Sequence, residues 1–178
     1  MRIERCPGVY EPDDDSYLLT GIEEISGSLL EIGCGTGIVG LSYAESGVKV
    51  TLIDISPAAV KCTRRNASLN GMSVDVIRAD MFSGIRKKFD YCVFNPPYLP
   101  NDLQDNLSWS GGPNGNEVTI RFLKEFTNFS DHAFYIESSL SPIQKGMFEG
   151  LRFETRKKIE YEFEELSLVK VTVNALHR

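Results

Sequence analysis

A strand-like run, Ser28-Leu29-Leu30-Glu31-Ile32, passes without a spacer into Gly33-Cys34-Gly35-Thr36-Gly37 and then into helix-like sequence. Few folds accept that order. A short apolar strand, a tight glycine turn and a helix make the opening unit of an open α/β sheet, where ligands bind beyond the carboxyl ends of the strands. The rest of the chain keeps the alternation. Strands are expected over 48–54, 73–78, 89–94, 132–137, 153–161 and 166–175, and helices over 37–46, 57–70, 115–129 and 142–150. Ser56 suits the N-cap of the second of these helices, Pro57 its first position and Asn70-Gly71 its end. The near-continuous apolar run 89–94 marks a strand buried on both faces. Ahead of the first strand, residues 12–25 read as a helix opened by Asp13-Asp14-Asp15, acids that suit the positive end of a helix dipole. The expected fold is therefore α/β. It is a single domain over residues 1–178, with a mostly parallel Rossmann-like sheet of seven strands, an antiparallel closing strand and helices on both faces. Residues 1–27 form an N-terminal segment and helix.

The glycine loop carries the first chemical signal. Asp54 ends the second strand, 21 residues beyond Gly33, where an acid can accept the hydroxyls of a ribose. A dinucleotide fingerprint would place its third glycine where this chain has Ile38. Glu31 opens the loop, and a carboxylate is a poor neighbour for pyrophosphate but a good one for a cation. A positively charged nucleoside without phosphates fits these residues, and S-adenosylmethionine is such a molecule. Glu31, Gly33, Gly35, Gly37, Asp54 and Ile55 are the candidate cofactor residues. Asp80, at the end of the third strand, is expected to accept from the adenine amino group, with Met81 beside it. A bare glycine turn that only packs helix on strand would need neither acid.

Asn95-Pro96-Pro97-Tyr98 ends the buried fourth strand and is the most specific motif in the chain. Two prolines stop a strand ladder, and Asn suits the turn. That explains neither the Tyr nor the position beside the cofactor crevice. A planar NH2 nitrogen is a weak nucleophile because its lone pair is delocalised. Two acceptors, the Asn95 side-chain oxygen and the stiffened Pro96 carbonyl, can hold both its hydrogens, aim the nitrogen and stabilise charge growing on it. Tyr98 can stack on the flat group. The motif thus points to N-methylation without a metal, with adenine N6, guanine N2 and glutamine N5 all open as acceptors. Asn95, Pro96 and Tyr98 are the candidate catalytic residues, Asn95 also touching the cofactor, and Pro97 is a candidate substrate contact.

Net charge is −6, which disfavours a chain that grips nucleic acid by its phosphates. Arg152, Arg156, Lys157 and Lys158 form the one evident basic cluster and read as a solvated face. Cys6, Cys34, Cys62 and Cys92 lie far apart with no Cys-x-x-Cys pair. They are expected to be reduced thiols of a cytoplasmic protein, with the nucleus as the other compartment, and to bind no metal. No apolar run approaches the roughly 20 residues of a membrane span, and the opening residues are not those of a secretory signal.

These motifs resemble the HemK-like class I methyltransferases, in particular their short eukaryotic and archaeal branch, the release-factor glutamine N5-methyltransferases. The resemblance rests on residues 9–19 (Val-Tyr-Glu-Pro-Asp-Asp-Asp-Ser-Tyr-Leu-Leu), 31–37, 54–59, 95–98 and 109–118 (Trp-Ser-Gly-Gly-Pro-Asn-Gly-Asn-Glu-Val). It implies a class I methyltransferase sheet and transfer from S-adenosylmethionine, with S-adenosylhomocysteine as product, to the glutamine of a Gly-Gly-Gln loop in a class 1 translation release factor. By the same resemblance Asn95, Pro96 and Tyr98 hold the glutamine amide, while Tyr10, Asp15 and Ser16 close over the cofactor. Trp109, Gly111, Gly112 and Asn114 line the substrate mouth. It also implies a small zinc-binding activator subunit. Only about 25 residues precede the first strand, too few for a separate substrate-recognition domain, and the expected edge strand Ser73 to Arg78 is a place for a partner strand to add. The alternative activity is N-methylation of adenine N6 or guanine N2 in nucleic acid. A non-catalytic binding module would have lost Asn95 or the cofactor acids, and a dehydrogenase is disfavoured by Glu31 and Ile38.

Overall fold

Strand burial follows the apolar runs. β1 (Ser28–Ile32), β2 (Lys49–Asp54), β4 (Tyr91–Phe94) and β5 (His132–Ser138) are buried along most of their length, whereas β3 (Asp75–Arg78) and β6 (Leu151–Glu160) are mostly open. The coordinates are a computed structural model describing residues 1–99 and 111–174. The strands form one sheet in the order β3-β2-β1-β4-β5-β7-β6, with β7 spanning Glu165–Val173. Neighbours from β3 to β5 pair in parallel, and β7 runs antiparallel to both β5 and β6. The expected α/β sheet of seven strands with one antiparallel strand is thus the observed one. The closing strand lies between β5 and β6, so the two edges are β3 and β6. The ten-residue β6 edge carries Arg152, Arg156, Lys157 and Lys158 and a register shift between Thr155 and Lys157, both of which discourage edge-to-edge pairing.

Alternating side chains send the core to both faces. Leu30, Ile32, Phe94 and Tyr135 pack with Phe122 and Phe126 on one face; Leu29, Val93, Phe134 and Ile136 pack with Leu41 and Tyr43 on the other. Each fully buried aromatic or aliphatic side chain stabilises the fold by roughly 1.5–3 kcal/mol. The helices are α1 (Asp14–Leu19), α2 (Ile38–Glu45), α3 (Pro57–Leu69) and α4 (Glu117–Glu125). Ser56 caps α3, its side chain accepting from Ala59 N.

Two helices are shorter than the sequence suggests. The helix expected over 12–25 ends at Leu19, because Thr20 turns extended, its hydroxyl bonds Tyr17 O, and Gly21 follows at φ +71°. The segment 142–150 forms only a 3₁₀ turn, Lys145–Met147. Glu137 on β5 takes the Ile143 N–H and the Lys145 ammonium and holds the segment against the strand. Ala175, the expected last residue of β7, lies outside the described residues.

The cysteine expectation is corrected. Cys6 and Cys62 form a disulfide; Cys34 and Cys92 are free and buried. A sequence separation of 56 concealed the pair. The N-terminal residues lie as a strap along α3. Glu4 exchanges hydrogen bonds with the Asn66 side chain at 3.0 Å each way, and Arg2 does the same with Asn70 at 2.7 Å. Asn66, fully buried, also donates to Thr36 O at 2.9 Å, so the strap, α3 and the glycine loop share one polar residue.

Closing a loop of that length is worth about 4 kcal/mol on chain-entropy grounds. Reductant on the wild-type chain and Cys6→Ser in oxidising buffer should each lower stability by about that much in urea unfolding, and reductant should leave Cys6→Ser unchanged. Equal stability with and without reductant would mean that hydrogen bonds alone hold the strap.

Candidate active site

The carboxyl ends of β1 to β4 open into a cavity of about 1030 Å³, at the top of the roughly 300–1,000 Å³ usual for small-molecule sites. It has room for a nucleoside cofactor and part of an acceptor. Its floor is the glycine loop. Thr63 on α3 donates to Gly35 O at 2.9 Å, and Cys34 N donates to Ile53 O at 2.9 Å. Gly37 starts α2 at φ +84°, and a Cβ there would meet the Thr63 side chain at 2.9 Å. Gly37 therefore presses the loop onto α3 and, unlike Gly33 and Gly35, does not line the cavity.

Asp54 is oriented by backbone. One carboxylate oxygen accepts from Gly35 N at 2.9 Å and the other from Ser56 N at 2.8 Å. Each oxygen keeps a lone pair for a pair of ligand hydroxyls. Burial raises the Asp54 pKa, against the pull of those N–H groups. Glu31 is buried under the loop and accepts from Gly40 N at 2.8 Å. Burial pushes its pKa up to about 8, with the nearby Asp54 adding to the rise. Buried Glu31 and half-buried Asp54 beside one cavity favour a cation in it. Asp80 and Met81 also line the cavity. One nitrogen of Arg121 from α4, Nη1, donates to both Asp80 oxygens, at 2.8 and 2.9 Å, while its Nε donates to Glu125, so the acid meant for an adenine amino group is already oriented by a charged donor.

The far wall turns on Asp15, only 3% exposed. One of its oxygens accepts from Tyr10 at 2.7 Å and from Tyr98 at 3.1 Å. Burial first, then the adjoining Asp15, raises both tyrosine pKa values well above the ordinary range, and both hydroxyls stay donors. The other oxygen accepts from the Ser16 amide and from the Ser16 hydroxyl, at 2.5 and 3.2 Å. With its proton committed to Asp15, the Ser16 oxygen accepts from the Asn95 NH2 at 3.4 Å. That polarity leaves the Asn95 oxygen as the unpaired end. Oδ1 is shut from solvent and has no partner among the described residues, a state costing roughly 1–3 kcal/mol, on a residue that lines the cavity. Behind the motif, the buried Ser141 donates to Tyr98 O at 2.8 Å.

The cavity brings together Tyr10, Asp15, Ser16, Glu31, Gly33, Gly35, Asp54, Ile55, Asp80, Met81 and all four residues of the Asn95–Tyr98 motif. It does not include Gly111, Gly112 or Asn114. Gly111 backs the motif: its N–H donates to Leu99 O, and a Cβ there would lie 2.6 Å from Pro97 O. Gly112 and Asn114 pack on Glu117 at the start of α4. Trp109 lies outside the described residues. Arg121, Asp13 and Glu164 line the cavity without having been singled out in the sequence. Asp13 was legible only as a helix-opening acid, and no local pattern marks the other two.

Residues 3–109 match the family of the methyltransferase small domain. A Methanocaldococcus jannaschii protein provisionally named a protein N5-glutamine methyltransferase is 33% identical over 95% of this chain and 94% of its own length. Methyltransferase HEMK2 of Homo sapiens is 33% identical over 64% of this chain and 63% of its own length. The ribosomal RNA small subunit methyltransferase C of Aeromonas hydrophila is 37% identical, but over 55% of this chain and only 30% of its own length. Among solved structures, E. cuniculi Mtq2, in its complex with Trm112 responsible for methylation of the eRF1 translation termination factor, superposes with a TM-score of 0.78. That match covers 94% of this chain and 99% of that one at 23% identity, and so shows a shared fold.

The Asp15 junction makes a quantitative expectation. Tyr98→Phe removes one of several donors and should cost about 1 kcal/mol, whereas Asp15→Ala leaves two tyrosine hydroxyls and Ser16 without their acceptor and should cost about 3 kcal/mol. Denaturant unfolding of the two variants tests the ranking; equal losses would mean Asp15 contributes only through Tyr98.

Proposed function

The chain belongs to the methyltransferase small-domain family, and from that premise we propose that it methylates a glutamine side-chain amide at N5. The cofactor is S-adenosylmethionine and the acceptor the Gly-Gly-Gln loop of a class 1 translation release factor. The observation that carries the reading is the orphaned Asn95 Oδ1. An acceptor left without a donor, on a residue that lines the cavity, calls for a ligand NH2, and an amide supplies one. The name of the M. jannaschii relative and the eRF1 activity of the E. cuniculi complex support glutamine as its source.

The residues fit the cofactor. Asp54 presents two oriented oxygens to a ribose, Asp80 one face to an adenine amino group, and Glu31 an acid to positive charge. When bound, S-adenosylmethionine supplies an electrophilic methyl group on a sulfonium. The chain's part is to position the acceptor. Asn95 Oδ1 accepts one amide hydrogen and the Pro96 carbonyl the other. The Tyr98 ring, tethered through its hydroxyl to Asp15, flanks the amide plane. Both acceptors gain strength as charge grows on nitrogen, which lowers the barrier rather than the ground state. The surplus proton leaves to water.

Methylation of adenine N6 or guanine N2 is the second reading, favoured by the likeness to the ribosomal RNA methyltransferase. The basic cluster speaks against it: Arg156 pairs with Glu24 and Glu154, and Lys158 with Glu165. A partner fits the reading as well. β3 is an edge strand, and exposed Ile77 and Leu69 lie on and near it. A small zinc-binding activator subunit adding there, as Trm112 accompanies Mtq2, completes the proposal.

Labelled methyl transfer to a release factor, to its Gln→Ala control and to a nucleic-acid pool, with and without activator, tests the reading. Label on the wild-type factor alone is expected, and Asn95→Ala should lower turnover at least 100-fold while sparing cofactor affinity. Label on nucleic acid alone would establish the second reading. Glu31 gives a pH signature. Its carboxyl is neutral below about pH 8, and a cation binds the ionised form better. S-adenosylmethionine should therefore bind more tightly as pH rises from 7 to 9, with proton release below pH 8, whereas S-adenosylhomocysteine changes less. Glu31→Gln should flatten the difference in calorimetric titrations.

A further inference from the structure

The tip of the β6–β7 hairpin carries Phe163, 82% exposed and the most exposed of the large apolar side chains described. A single surface apolar residue means little, but this one has company. Tyr161 and Tyr17 are exposed, as is Leu140. The Tyr161 hydroxyl donates to Asp14 at 2.6 Å, one turn before Tyr17 on α1. Glu164 accepts from Ser138 at 2.5 Å, and the Ser138 oxygen accepts from Leu140 N at 3.1 Å. These bonds gather hairpin tip, α1 and the turn after β5 into one aromatic rim. The tip is stiff as well, closed by Tyr161 N donating to Glu164 O at 2.7 Å. A rigid, pre-placed aromatic loses little freedom on binding and makes a good anchor.

We propose that this rim docks the polypeptide that presents the acceptor glutamine, with Phe163 as its apolar anchor and the surrounding acids facing a lysine or arginine near the glutamine. This rests on the glutamine reading above and adds to it how the acceptor protein is recognised. Two observations select the occupant. The rim is continuous with the active site, because Glu164 and Asp13 line the same cavity as Asn95 and Tyr98. Its charge is mostly of one sign: Asp13, Asp14, Glu160, Glu162 and Glu164 make no ion pair with any described basic side chain, and the nearby Lys158, which feels Glu160, is itself paired with Glu165. An acidic, aromatic rim repels phosphate and suits a basic, partly apolar peptide surface. The hairpin also lies at the β6 edge, across the whole sheet from β3, so a subunit on β3 leaves it clear.

The test compares wild type with Phe163→Ala, in complex with the activator if activity requires it, on two acceptors: the intact release factor and a short peptide containing only its Gly-Gly-Gln loop. Phe163→Ala should raise KM for the intact factor tenfold or more, leaving its kcat, the kinetics on the peptide, the S-adenosylmethionine Kd and the melting temperature unchanged. Raising salt from 0.1 to 0.5 M should raise KM for the factor more than for the peptide. Unchanged KM for the factor would overturn the proposal. So would an equal loss on both acceptors, which would put Phe163 in the site itself, or loss of self-association or activator binding with KM intact, which would give the rim to another occupant. Wild type labelling neither acceptor would instead remove the glutamine reading on which the proposal stands.

Discussion

A buried carboxyl group must find its hydrogen-bond donors inside the protein, and Asp15 finds them on three separate segments: Tyr10 from the strap, its own neighbour Ser16 and Tyr98 from the turn after β4. Satisfying this one group brings the N-terminal segment, α1 and the Asn-Pro-Pro-Tyr turn to a common point. It also sets polarity. A group that accepts from the Ser16 hydroxyl turns the Ser16 oxygen into an acceptor, and that turns the Asn95 amide so that its oxygen is left over. The direction of the Asn95 dipole, on which the proposed chemistry depends, is thus decided two bonds away.

The cofactor side of the cavity is built by a different economy. Asp54 is held by backbone N–H groups of the glycine loop and of the turn into α3, and Glu31 by the first turn of α2. Backbone donors move only if the fold moves, so both acids stand pre-oriented. Burial holds the Glu31 carboxyl in its neutral form below about pH 8, so its charge develops only where a cation beside it favours ionisation. The same sign continues outward through Asp13 and Glu164 to the hairpin rim.

Periodicity made the sheet legible. Four of the strands are apolar over most of their length because both faces are covered, and the glycine loop and Asn95-Pro96-Pro97-Tyr98 sit where strands must stop. Those signals are local in the chain. The failures were of contacts between distant segments. Cys6 and Cys62 read as separate thiols because only the strap's hydrogen bonds to Asn66 and Asn70 run the N-terminus along α3. The helix expected over 142–150 lost to Glu137, a competitor on another strand. Nothing in the sequence around Gly111 shows that the Gly115 and Pro97 carbonyls leave no space there for a Cβ.

By itself, the order of residues determined the α/β alternation, the strand ends at which Glu31, Asp54 and Asn95 stand, and the chemical character of the ligand those residue types accept. Hydrophobic period and turn chemistry act over a few residues, so they can be read along a chain. Tertiary structure alone decided which way each polar group faces: Arg121 across Asp80, Ser16 under Asn95, Glu164 on the cavity wall. Hydrogen bonds between segments tens of residues apart are chosen by packing, because only burial makes an unpaired donor or acceptor costly enough to dictate where the chain must turn.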